Sequence, residues 1–484
     1  MSISSALSNA LSGLTASSRA AGVVSTNLAN VLTDGYAVRD IELAAEGDGR
    51  AGGVAVVGVT RYVDSSLLNE RRMADSALAQ AETAQGFATV LEREVGTPDQ
   101  PSSLSARVAA LEASLVSAAS KPEEDIRLQQ AVQGAIDLAG SLNRISDRIQ
   151  AERTATDGRI GTAVEEMNTH LGRIQALNGQ IANANNAGHP TASMEDQRQV
   201  EIDKLAEYVP LRLAARDNGT VAIFTPGGAI LLDGSPARLS FTTSNVIAPH
   251  MTVGNGLLSG LEINGVPIQT SAGTGPVSGG RLGALFEIRD VATVDAQAQI
   301  DALARDLVER FQQPGLDATL GAGDPGLLTD AGAGFDPLNE IGLAGRISVN
   351  AAVDHTQGGQ VWRLRDGLGA LSPGPAGNAV LLNDLKAALD APVGMASGSL
   401  GATPRSVSGH VASFVSRIGQ ERLDHDQALS FATSRQTGLV DIELSQGVDS
   451  DAELQRLLLI EQAYSANARM IQTIDEMMQA LLRI

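Results

Sequence analysis

Residues that could do chemistry are few in this chain, and their spacing gives them little to do. His170, His189, His250, His355, His410 and His425 are scattered, with no second histidine or bracketing carboxylates at helical spacing. Asp424-His425-Asp426 is the one close cluster. Adjacent residues on a helix point in different directions, so it suits a solvated turn better than a metal site. The run from Gly273 to Arg281 has the glycines of a phosphate cradle but lacks the Lys-Ser/Thr ending and a preceding strand pattern. No Gly-x-Ser-x-Gly elbow with triad partners is present. Asn218-Gly219-Thr220 fits a glycosylation sequon, although Asn-Gly is the stronger turn signal. The absence of cysteine excludes disulfides, thiolate metal sites and a cysteine nucleophile. No catalytic, metal-binding or cofactor-binding residue is assigned, and no cofactor is expected.

Chemistry gives way to packing at the two ends. Ile3, Leu7, Ala10, Leu14, Ser17, Ala21, Val24, Leu28 and Val31 recur at steps of four and three. Near the other end Leu457, Ile460, Tyr464, Asn467, Ile471, Ile474, Met478 and Leu481 do the same. Each set is the narrow apolar stripe by which helices zip together. A helix with one such stripe is not stable alone in water, so the termini pair with each other or pack into a larger assembly. With no other intrachain partner, the arms are expected to order on assembly. Asn467 lies where a polar residue commonly fixes register.

A net charge of −21 argues against nucleic acid and anionic membrane partners. At 484 residues several domains are expected, and with 3% aromatic residues their cores must rely on Ala, Leu, Val and Ile. No apolar run reaches the roughly 20 residues of a membrane span. Met1 to Leu14 lack the basic start and apolar block of a cleavable signal.

Helical signal dominates the first 205 residues. Ser2 is placed to cap a first helix ending near Asn30, and Val54, Val56 and Val59 mark a short β stretch. An Ala-rich seam (Leu67, Ala74, Ala77, Ala81, Ala84, Ala88, Leu91, Val95) follows, then a short helix over 104–119. A long helix is predicted from Glu123 to Asn185, about 95 Å at 1.5 Å per residue. Its face is Leu138, Leu142, Ile145, Ile149, Ile160, Met167, Leu171, Ile174 and Ile181, and Gly158 and Gly161 are placed to weaken its middle. Residues 209–410 then hold 31 of the 51 glycines, with hairpin signals interrupted by a helical island over 281–311. Ser450 to Glu453 reads as a capping box opening the last helix.

The fold expected is α+β and multidomain, with terminal coiled-coil helices, a long-helix bundle domain and an inserted β-rich outer domain. The boundaries are 1–62 with 447–484 for the terminal arms and 63–208 with 405–446 for the long helices. Residues 209–280 with 313–404 form the β-rich part, and helix 281–312 returns to the bundle.

Asn27-Leu28-Ala29-Asn30, Thr33 and Gly35-Tyr36 resemble the N-terminal signature of the flagellar rod, hook and hook-associated proteins. Asp34 stands where these usually have proline, and Arg39 lies one residue beyond the usual arginine. Three further stretches are similar to junction members of the hook-associated group: Gly53 to Arg71, Asp196-Gln197-Arg198 through Gly228, and Gly279-Gly280 through Arg289-Asp290. The C-terminus matches most closely, in Gln462-Ala463-Tyr464, Ala466-Asn467-Ala468-Arg469, Ile471, Thr473 and Asp475-Glu476-Met477.

The resemblance implies a structural adaptor, not an enzyme, exported through the flagellar type III channel and set as a ring between hook and filament. Implied partners are the hook protein, a second hook-associated protein, copies of itself, and an export chaperone at the C-terminal helix. The assembly surface would comprise Ile3, Leu7, Leu14, Val24, Asn27, Leu28, Asn30, Thr33, Gly35 and Tyr36. On the C-terminal helix it would comprise Leu457, Ile460, Tyr464, Asn467, Arg469, Ile471, Ile474, Met478 and Leu481. A hook or distal-rod subunit is the alternative, disfavoured by the long helix. A secreted wall hydrolase with flagellar ends would need paired carboxylates among Asp324, Asp330, Asp336 and Glu340.

Overall fold

A computed structural model describes residues 3–45, 52–270 and 275–482. Ser2 and two members of the glycine run, Gly273 and Thr274, lie outside the described residues. The chain opens with α1 (Ile3–Ala29), the hairpin β1 (Arg39–Ala45) and β2 (Val54–Arg61), then α2 (Ser65–Val95), α3 (Leu104–Ser120), α4 (Asp125–Asn186) and α5 (Ala192–Tyr208). Strands β3 (Arg212–Ala215), β4 (Val221–Phe224), β5 (Ile230–Asp233) and β6 (Ser235–Pro236) form one antiparallel meander. Strands β7 (Leu239–Ser240), β8 (Leu261–Ile263) and β9 (Val266–Ile268) form another. The helical island is α6 (Gly280–Glu287), a π-helical turn at Ile288–Ala292, and α7 (Thr293–Phe311). The hairpin β10 (Leu328–Asp330) and β11 (Ile347–Val349) and the short helices α8 (Arg363–Asp366) and α9 (Val380–Asp390) follow. Helices α10 (Val407–Ser445) and α11 (Ser450–Leu482) close the chain.

The chain packs as two compact units. The first comprises 1–78, 166–238 and 432–484, and the second 79–165 and 239–431. The apolar core of the second joins Leu104, Val108, Leu111 and Leu115 of α3 to Leu128, Leu138 and Leu142 of α4. Ile300, Leu307 and Phe311 of α7 and Phe414 of α10 complete it. The expected α4 face is buried throughout, from Leu138 to Ile181. The expected α2 seam is buried at Ala74, Ala88, Leu91 and Val95, but Ala77 is exposed and Leu68, Arg72, Ser76 and Ala79 are buried as well. For Arg72 the reason is electrostatic: it turns inward to bond Asp203 at 2.6 Å.

The gap in the α4 face between Ile149 and Ile160 is filled by buried Arg153, Thr156 and Asp157. Asp157 pairs with the fully buried Arg289 at 2.7 Å. That guanidinium also lies 5.0 Å from the ring centre of Phe286 and 5.2 Å from that of Phe241. Arg153 donates to the carbonyls of Arg289 and Met251 at 2.9 and 2.7 Å. Gly161 does not break α4. A Cβ there would fall 2.5 Å from Thr243 Cγ2, so glycine admits the incoming loop.

Residues 313–404 hold only the β10/β11 hairpin as sheet, and buried ionic groups hold much of the rest. Arg310 donates to the carbonyls of Ala388, Ala391 and Arg405. Asp301 accepts from the backbone N–H of Gly342 and Ala344 at 2.7 and 2.8 Å and from Gln297 at 2.9 Å. Burial pushes the Asp301 carboxyl up to about 6, against the opposing pull of those donors. A raised pKa gives stability present below the unfolded value and lost as pH rises through about 6. Asp301 alone should therefore lower the stability of the second unit by about 2 kcal/mol between pH 4 and pH 7. Thermal melts over that range should show this slope, and Asp301→Asn should flatten it.

Candidate functional site

The first helix must end and the chain must turn out of it without leaving polar groups stranded. Gly35 makes the exit, with φ of +73° and Val200 Cγ2 only 2.5 Å from where a Cβ would stand. Ahead of it Asn30 Nδ2 donates to the Thr26 carbonyl at 2.8 Å, and the Thr33 hydroxyl donates to Asn30 Oδ1 at 3.2 Å. The turn returns the chain beside the end of α1, where Asn27 is 0% exposed.

The Asn27 amide is fully used. Its Oδ1 accepts from the Tyr36 hydroxyl at 2.7 Å and from the Arg39 N–H at 3.1 Å. Its Nδ2 donates to the Arg39 carbonyl and to Glu453 Oε1, both at 2.9 Å. One side chain thus joins α1, its exit, the start of β1 and the first turn of α11. Burial pushes the Tyr36 hydroxyl up, opposed by the Arg39 guanidinium, which stacks 4.8 Å from the ring centre.

Glu453 corrects the capping-box reading. Asp449 caps α11, accepting from the N–H groups of Asp451 and Ala452 at 2.9 and 3.1 Å. Glu453 is freed to turn inward, where it is 6% exposed and its second oxygen has no hydrogen-bond partner among the described residues. Arg39 bonds Asp196 at 2.8 Å, and Arg61 of β2 bonds the same carboxylate at 2.7 Å. Arg61 also donates to Gln199. The hairpin is therefore anchored to α5. Arg71 makes a second anchor, bonding Asp75, Asp203 and Glu443 at 2.8, 2.6 and 2.6 Å.

The two terminal helices pack on each other, antiparallel, with Gly13 against Asn467 and Asn27 against Glu453. In this single chain the arms are helical, because each supplies the partner the other lacks. The contact face of α1 shares Ala10 and Val24 with the expected stripe and is otherwise shifted by one residue. Ala10, Ala16, Ala20, Val24 and Asn27 are buried, whereas Ile3, Leu14 and Leu28 are half-buried and Leu7 is 38% exposed. The small side of the helix lets α11 approach closely. On α11 Ile474 is buried and Leu457, Ile460, Asn467 and Ile471 are half-buried. Tyr464, Arg469, Met478 and Leu481 are exposed, so the Tyr464 hydroxyl needs no protein partner.

Comparison with known proteins agrees with this architecture. Residues 92–326 match the flagellar hook-associated protein FlgK helical domain, and 445–484 match the flagellar basal body rod FlgEFG protein C-terminal domain. Both matches are to domains of flagellar rod and hook-associated proteins. The flagellar hook-associated protein 1 of Bacillus subtilis is 22% identical over 98% of this chain and 97% of its own length. That of Escherichia coli is 24% identical over 100% of both. The solved flagellar hook junction protein FlgK from Burkholderia pseudomallei aligns with 54% of this chain and 46% of its own, at 22% identity and a TM-score of 0.44. Over its full length the chain is similar to flagellar hook-associated protein 1.

Substitutions at the hub should separate its parts. Tyr36→Phe removes one donor and should cost about 1 kcal/mol. Asn27→Leu leaves Glu453 buried without a donor and should cost about 3–5 kcal/mol. Protease cleavage within 450–474 is the readout: it should rise slightly for the first variant and strongly for the second, with the second unit still resistant.

Proposed function

We propose that this chain is a structural adaptor of the bacterial flagellum, exported through the type III channel and placed as the junction ring between hook and filament. The observation that carries the reading is the terminal helix pair in a chain similar to flagellar hook-associated protein 1. Its internal seam is occupied, and yet each helix still presents an apolar stripe. On α11 a second heptad line runs through Leu459, Ala463, Ala466, Met470, Thr473 and Met477, all exposed. On α1 Leu7 and Leu11 are exposed at 38 and 57%, and Leu32, in the turn that follows the helix, at 93%. Contiguous exposed apolar surface of this kind marks a protein interface. The partners that fit are copies of this chain, the hook protein below and a second hook-associated protein above, with an export chaperone on α11 before assembly. The extracellular flagellum is the location that follows.

A wall hydrolase finds no support in the acidic residues named for it. Asp330 bonds Arg346, Glu340 bonds Arg305, Asp336 caps a turn at Leu338, and Asp324 accepts from the Gly321 N–H. Each carboxylate is already engaged in holding a loop or an ion pair. A hook or distal-rod subunit would share the terminal pair but not the helical region matched over 92–326.

Deletion of the gene should leave hooks without filaments and flagellin shed into the medium, seen by electron microscopy and by blotting the supernatant. A chain truncated after Ile460 should keep the second unit folded and fail to restore filaments. Normal filaments on that truncation would refute the assignment.

A further inference from the structure

Gly13 and Asn27 stand two heptads apart on α1, and Asn467 and Glu453 stand two heptads apart on α11, running the other way. Both cross-pairs are contacts. A Cβ on Gly13 would lie 2.8 Å from Asn467 Nδ2, and Asn27 donates to Glu453 at 2.9 Å. We propose that these two contacts are a register lock, selecting one antiparallel alignment of α1 on α11 from the set related by seven-residue slips.

The remainder of the seam cannot make that choice. Its apolar members, Ala10, Ala20 and Val24 on α1 and Leu457, Ile460, Ile471 and Ile474 on α11, are buried or half-buried, and heptad stripes are self-similar under a slip of seven. The polar positions remove the degeneracy. A slip one way puts Asn467 opposite Ala20 and carries Glu453 past the end of α1 towards Asp34. A slip the other way puts Asn467 opposite Ala6 and Glu453 opposite Ala20. In both, a methyl group fills the space that Gly13 leaves for the Asn467 amide. In both, the Glu453 carboxylate loses its donor, and Asn27 loses one of its two acceptors. Asn467 therefore trades seam stability for alignment, as a lone polar seam residue does in coiled coils. This inference stands on the single chain and goes beyond the adaptor reading. Its consequence for an adaptor is that the exposed stripes of α1 and α11 are always presented at one relative height.

The cysteine-free sequence allows a direct test by oxidative crosslinking of the full chain in dilute solution. Ala16→Cys with Tyr464→Cys reports the observed register. Ala16→Cys with Leu457→Cys, and Ala16→Cys with Ile471→Cys, report the two slips. In the parent background the first pair should crosslink at least about tenfold more than either slip pair, a difference of roughly 1.4 kcal/mol. With Asn467→Leu and Glu453→Leu together, the slip pairs should rise towards the level of the first while helix content is unchanged. Asn467→Leu alone, which nearly preserves side-chain shape, should give an intermediate pattern. Slip pairs that stay silent in the double variant would overturn the proposal. So would the loss of all three crosslinks with α11 cleaved by protease, since the residues would then hold the helices together without choosing their alignment.

Discussion

A single buried amide organises the joint between the two ends of this chain. Asn27 has two donors and two acceptor sites, and all four are satisfied by groups from three other segments. A buried polar group left unpaired costs roughly 1–3 kcal/mol, so the exit loop, the start of β1 and the first turn of α11 are each held where the amide needs them. The other features follow from that position. Tyr36 must fold back, Gly35 must supply the left-handed turn, and Arg39 must run alongside, where its guanidinium meets Asp196. The small residues along α1 then let α11 lie close. What remains uncovered is the larger apolar surface of both helices, the part suited to neighbours in an assembly.

The second unit solves a different problem by similar means. With few aromatic residues and little sheet, its irregular segments cannot satisfy their backbone groups through ladders. Buried side chains do so instead. Arg153 and Arg310 cap carbonyls, Asp301 collects N–H groups, and Arg289 pairs with Asp157 between two phenylalanine rings. Such groups are costly to bury and costlier still to remove singly, because each deletion strands its partners. They give a loop-rich region a single conformation where apolar packing alone would leave choices.

Much of the helical framework was legible from periodicity. The long helix expected over 123–185 is observed as Asp125–Asn186, since nine fully apolar positions on one face leave few alternatives. The hairpins after residue 209 were legible because Asn-Gly and Gly-Gly turns fall between short apolar runs. The same reasoning failed wherever a charged residue is buried. Arg153, Thr156 and Asp157 read as a gap in a stripe, and Arg72 carried no signal of burial. Glu453 read as half of a capping box, because Asp449 offers an equally good cap one residue earlier than Ser450. Its burial depends on Asn27, more than 400 residues away, and no local pattern carries that. The stripe on α1 was found, with Ala10 and Val24 on the contact face, but Ala16, Ala20 and Asn27 complete that face in place of Ser17, Ala21 and Leu28. Periodicity ranks apolar positions by size, whereas close helix packing selects small ones.

The central claim is that the two ends of the chain form one cooperative element closed by the Asn27 hub. Amide hydrogen exchange of the dilute full chain, under conditions where opening limits exchange, tests this most directly. The account predicts that peptides covering 10–27 and 453–474 exchange in a single correlated step at a common rate. Different rates for the two helices, or no protection in either, would contradict it.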